Sequence, residues 1–207
     1  MDLSKPLAVV TPTLDAAVLQ ALAATTGWVS GAQVHRQGGA GSPDGVRKVL
    51  ARLVHQGIVL ASEHRHATLY SLNRDHVAAD AIVSMTLLRG AVVDRIKAAI
   101  EAGPATPTHA SLFGSFARGD ASADSDIDVL VVFDEHGRAP DDERAAFLDD
   151  LAEDVRRWTG NRAQIVALTV PVLAEMAAAD DPLVDSWRAD HVHLAGTRLL
   201  DLLRRTP

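Results

Sequence analysis

Leu14, Val18 and Leu22 recur on a helical period within the stretch 13–27, and Gly27 closes it, so the pattern predicts a first helix there. A shorter helix is expected over 30–38, ended by Gly38 and Gly39. The third is the best punctuated: Ser42 stands at the N-cap, Pro43 at the first helical position, Asp44 in the first turn and Gly57 just past the end. Val46, Val49, Leu50, Leu53 and Val54 form its apolar face, with Arg47, Lys48 and Arg52 on the other side. Two β-prone runs, 58–63 and 67–72, then read as a hairpin with His64, Arg65 and His66 at its tip.

Ile82, Met85, Val92, Ile96 and Ile100 carry a helical pattern onward over 77–104, stopped by Gly103-Pro104, with Gly90 permitting a break. Beyond it short apolar strands alternate with helices. Strands are expected at 108–113, 126–133, 162–169 and 191–196, and helices at 141–160, 170–180 and 181–190. A last helix over 197–205 should turn Leu199, Leu200, Leu202 and Leu203 inward. The fold class that follows is α/β of the α+β kind. Residues 1–76 make a helical part with a hairpin, 77–104 a linking helix, and 105–207 a small mixed-sheet domain. No internal repeat or low-complexity segment appears.

Composition narrows the classes. Hydrophobic residues at 47% and charged ones at 23% suit a globular protein, and no apolar run approaches the roughly 18 residues of a membrane span. The first twenty residues lack a basic region followed by a long apolar core, so a cytoplasmic location is expected. With no cysteine, disulfides and thiolate metal sites are excluded, and any metal must sit on oxygen or imidazole.

Charge is unevenly divided. Residues 1–76 hold seven Lys/Arg and five Asp/Glu, and 77–207 hold thirteen and twenty-two, so a net +2 adjoins a net −9. The net charge of −7 argues against nonspecific nucleic-acid binding by the whole chain. His35, His55, His64, His66 and His76 form no helical pair at ligand spacing and read as surface or capping residues.

Three helices followed by a hairpin resemble the winged helix-turn-helix fold over about residues 12–76. The resemblance rests on the order of elements. It implies that Arg47, Lys48 and Arg52 face DNA in the major groove, with His64, Arg65 and His66 at the wing tip, and a homodimer is a modest expectation. Winged helices also serve as protein-interaction modules, in which those cations are a solvated face.

The chemistry lies further on. Gly114-Ser115 ends one strand, and glycine there lets backbone amides approach a phosphate closely. Asp126 and Asp128 stand one residue apart at the mouth of the next strand, on one face, with Ile127 turned into the core. Two such carboxylates repel, and a divalent cation relieves the repulsion. An all-oxygen site favours magnesium or manganese.

Together these residues, with the Ala117-Arg118-Gly119 continuation and the spacing, resemble the signature of the minimal nucleotidyltransferases of the DNA polymerase beta superfamily. The resemblance extends loosely over about 105–205. It implies transfer of a nucleoside monophosphate from a triphosphate to an acceptor hydroxyl, with pyrophosphate released. Gly114 and Ser115 would hold the triphosphate, Asp126 and Asp128 the metal, and Arg118 would neutralise phosphate or brace the turn. ATP is the expected nucleotide, although no motif for base selection is present. The acceptor is open among an antibiotic, a tRNA end and a protein hydroxyl; minimal nucleotidyltransferases that accompany toxin–antitoxin pairs point to protein or RNA.

One position departs from the family. A third carboxylate is expected on the strand at 162–169, and the aligned residue is Gln164, which is uncharged and accepts no proton at neutral pH. Asp120, Asp124 and Glu101 are substitutes by sequence proximity only. The runner-up reading is therefore a nucleotide-sensing transcriptional regulator without turnover. His191 and His193 alternate on one strand face at a spacing that metal sites also use, but read better as a packed or surface pair.

Overall fold

Residues 1–134 and 140–205 are described in the computed structural model, so 135–139 and 206–207 of the expected second domain lie outside the described residues. The class is mixed α/β, and the chain divides into two compact units, Ser4–Arg89 and a second from Gly90 onward.

In the first unit a 3-10 turn (Pro6–Val9) precedes α1 (Leu14–Ala23), β1 (Val29–Ser30), α2 (Gly31–Gly38), α3 (Pro43–His55), β2 (Val59–His64), β3 (Ala67–Leu72) and α4 (Ala79–Thr86). Local chemistry sets the helix starts. Ser30 Oγ accepts from Gln33 N while Gln33 Oε1 accepts from Ser30 N at 2.8 Å, a reciprocal capping box at α2. Ser42 Oγ accepts from Gly45 N at 3.1 Å and starts α3 in the same manner. Val18, Leu22, Val34, Val46, Leu50, Leu53, Val59 and Leu72 fill one core. The sheet is antiparallel in the order β1-β3-β2, and pairing of His64 with Ala67 leaves Arg65-His66 as a two-residue turn.

The second unit holds most of α5 (Leu88–Ala102), then β4 (His109–Phe113), α6 (Gly114–Arg118), β5 (Ile127–Phe133), α7 (Asp141–Thr159), β6 (Ala163–Thr169), α8 (Val170–Ala178), α9 (Pro182–Ala189), β7 (Val192–Gly196) and α10 (Leu199–Arg205). Its sheet runs β6-β5-β4-β7, with β5 and β6 parallel and the other pairs antiparallel. As a central strand β5 is buried on both faces, which is why its sequence is a continuous apolar run. Phe113, Leu130 and Val132 pack against Leu173, Val184, Trp187, Leu199 and Leu202 of α8, α9 and α10. α5 and α7 lie side by side, with Arg95 over the Trp158 ring at 5.1 Å.

Two expectations change. The single helix over 77–104 is two helices, and the break falls at Leu87, three residues before Gly90. Thr86 Oγ1 donates to the Val83 carbonyl at 2.7 Å and Leu87 N to the Ser84 carbonyl at 3.1 Å, a tightened last turn that ends α4. Leu200 is 42% exposed, because it sits a helical step away from the face shared by Leu199, Leu202 and Leu203.

Candidate active site

Phe113 ends β4 opposite Asp128 of β5, which sets the Gly-Ser turn beside the second aspartate. Gly114 takes φ +69° and opens the short α6, whose Phe116 is buried and whose end is Gly119 at φ +83°. Glycine is required at 114 twice over: the left-handed backbone disfavours a side chain, and a Cβ would collide with Asp128 Oδ2.

Asp126 is exposed, Ile127 buried and Asp128 half-buried, the alternation expected of two carboxylates flanking one core residue. Burial first, and then the negative charge of Asp126, hold the Asp128 carboxyl above its ordinary range, while Arg118 opposes them. The parallel register sets Gln164 of β6 directly beside Asp128, exposed in the same row. The position where a third carboxylate was expected therefore lies next to Asp128 and carries an amide.

Arg118 reaches both ways from the end of α6. Its Nε donates to Asp120 at 3.2 Å and its Nη1 to Asp190, just before β7, at 3.0 Å. Asp120 accepts from Arg118, and Glu101 lies 3.8 Å from Lys97. Among the described residues no group of three His, Asp or Glu side chains is gathered to hold a metal.

Sequence periodicity missed Asn161. It is buried, and its Nδ2 donates to the carbonyls of Ala123 at 3.1 Å and Ser125 at 2.9 Å, in the loop that delivers Asp126. Ile127 N donates to the Arg162 carbonyl at 2.8 Å and completes the brace. The only sequence signal was an asparagine after the Gly160 turn, which usually reads as a loop residue.

In the first unit the proposed DNA-facing cations are partly engaged. Arg47 and Lys48 flank Asp44 at 2.5 and 3.2 Å while staying over 70% exposed, and Arg52 pairs with Asp15. His64, Arg65 and His66 are exposed at the hairpin tip, His64 sharing a hydrogen bond with Ser62 at 3.2 Å.

Residues 94–169 match the family model described as "Nucleotidyltransferase domain", a span that contains Gly114, Ser115, Arg118, Asp126, Asp128 and Gln164. A solved structure, the crystal structure of a toxin–antitoxin with AMP-PNP, is similar at 18% identity over 55% of this chain and 82% of that chain, with a TM-score of 0.38. No curated protein matches.

Proposed function

We propose that the second unit is a magnesium-dependent nucleotidyltransferase and that the first is a DNA-binding winged helix. The observation that carries the transfer reading is the row formed by Asp126, Asp128 and Gln164 beside Gly114, within the span that matches the nucleotidyltransferase domain. An all-oxygen set with two mutually repelling carboxylates fits Mg²⁺ or Mn²⁺. Bound by Asp126 and Asp128, the ion would supply charge stabilisation at the transferred phosphate.

In the reaction the acceptor hydroxyl oxygen bonds to the α-phosphorus of ATP or another triphosphate. The bond from that phosphorus to the leaving oxygen breaks, and pyrophosphate departs with the electron pair. Gly114 lets the backbone approach the phosphates, Ser115 donates to them, and Arg118, held by Asp120 and Asp190, braces α6 beside them. Gln164 cannot take the hydroxyl proton, which leaves to an aspartate or to water. An engineered Gln164→Asp should raise transfer at least about tenfold by restoring a base.

Purified protein incubated with each labelled triphosphate and Mg²⁺, beside Asp126→Ala/Asp128→Ala, tests this. Label transfer or pyrophosphate release lost in the double variant supports it; neither product nor metal-dependent nucleotide binding removes it. Gln164 favours a second reading, a nucleotide-sensing regulator, in which nucleotide changes DNA affinity without turnover. The three-helix and hairpin arrangement with exposed Arg47, Lys48 and Arg65 supports DNA contact in either case.

A further inference from the structure

The second unit carries another concavity on the same sheet. A cavity of about 430 Å³ is lined by His191, His193, Arg198, Leu200, Asp201 and Arg204. Two guanidiniums and two imidazoles face a single carboxylate, Asp201, which lies 3.8 Å from Arg204. Partial burial above all, and after it the charges of Arg198, His191 and Lys97, hold the His193 imidazole below its ordinary range. Beneath it the His193 ring stands 5.7 Å from that of the buried His109.

Register relates this cavity to the aspartates. Ser111 pairs with His193 and Leu112 with Val192, and the next residue of β4, Phe113, faces Asp128, so the start of β7 lies toward the aspartate end of the sheet. Neighbouring strands stand ~4.8 Å apart, so β7 is two strands, or about 10 Å, from β5, which carries Asp128. Arg118 ties the two ends, its Nη1 lying on Asp190, the residue before His191.

We propose that the β7–α10 cavity is the acceptor subsite and that it takes an acceptor carrying a phosphate, monoester or diester, near the hydroxyl that receives the nucleotide. This rests on the nucleotidyl-transfer reading. Guanidinium groups recognise phosphate oxygens in bidentate fashion, the one carboxylate of the lining offsets only one of the two arginines, and a cationic acceptor would be repelled.

Binding measurements with two phosphate probes separate the sources of that chemistry: a single-stranded oligoribonucleotide and a mononucleotide. A phosphate-free nucleoside and a tyrosine-bearing peptide serve as neutral acceptors. Wild type is compared with Arg198→Gln/Arg204→Gln and with Arg156→Gln/Arg157→Gln, whose arginines lie on α7, each beside an acidic neighbour within that helix.

The expected result is phosphate-probe binding by wild type and the α7 variant, weakened about tenfold or more in Arg198→Gln/Arg204→Gln, with thermal melts alike. Affinity confined to the oligonucleotide assigns a diester chain; affinity for both probes assigns a monoester. Unchanged phosphate affinity in that variant, no phosphate binding by wild type, or preference for the peptide overturns the subsite, and Mg·ATP binding by the same preparation then leaves the transfer reading standing. Failure of wild type to bind Mg·ATP removes the transfer reading and the acceptor role with it.

Discussion

Gly114 shows how narrow the site is at the level of one residue. Replacing it with alanine forces a side chain onto φ +69° and drives a methyl group into the Asp128 carboxylate. The left-handed backbone alone costs about 1–2 kcal/mol. Gly114→Ala should lower the melting temperature modestly and lose nucleotide binding in a Mg·ATP titration; full binding would show that Asp128 does not depend on this approach. His109 gives a pH signature. Its Nδ1 lies 2.8 Å from the Thr197 carbonyl, which can only accept, so Nδ1 carries the proton and Nε2 accepts from Ser111 Oγ at 2.9 Å. Burial above all pulls its imidazole down to about 4; the Thr197 carbonyl opposes, and the charges of His193 and His191 add to the fall. The unfolded chain, near 6.5, therefore binds the proton first, and stability is lost as pH falls from 6.5 to about 4, in total about 3 kcal/mol. Urea midpoints across that window should slope less in His109→Gln than in wild type.

At the scale of elements, the loop between α6 and β5 matters most, because it delivers Asp126 and is held from outside itself. Asn161→Ala would strip the Ala123 and Ser125 carbonyls of their donor, at a cost of about 1–3 kcal/mol. Nucleotide affinity should fall further than thermal stability does, since the carboxylate spacing loosens; an unchanged Mg·ATP titration would show that Asp126 is positioned by β5 alone. The long elements were legible in advance. α3, α7, the hairpin and β5 carry caps, periodicity or a continuous apolar run strong enough to read from neighbours in sequence. β1, α6 and the 3-10 turn were not, being two, five and four residues long, too short for any period to show. The helix over 77–104 was read as one because its apolar stripe continues across Leu87, but Ile82 packs in the first unit's core while Val92, Ile96 and Ile100 are buried in the second unit.

For the whole molecule, charge sets the terms of binding. A net +2 over residues 1–76 is a weak footprint beside −9 in the remainder, so DNA binding by the first unit should be weak and seen best at low salt. The logarithm of affinity should fall with that of salt by about 0.9 per phosphate contact, and Arg65→Ala should reduce the slope by about one. Arg52→Ala, whose arginine is held by Asp15, should leave the slope unchanged and lower stability instead. No binding at low salt would remove the DNA reading. No helix among the described residues is long and apolar enough to cross a membrane. The sequence by itself determined the mixed α/β class, the alternation that sets Asp126 and Asp128 to either side of Ile127, and the uncharged side chain at 164, because these rest on local period and residue type. Tertiary structure alone decided that Gln164 lies beside Asp128, that Asn161 braces the loop, that Arg118 joins Asp190, and that His191, His193, Arg198 and Arg204 share a cavity. Each of those depends on which strands pair or on contacts between residues far apart in the chain, and a local period fixes which face a side chain takes but not which distant residue it meets.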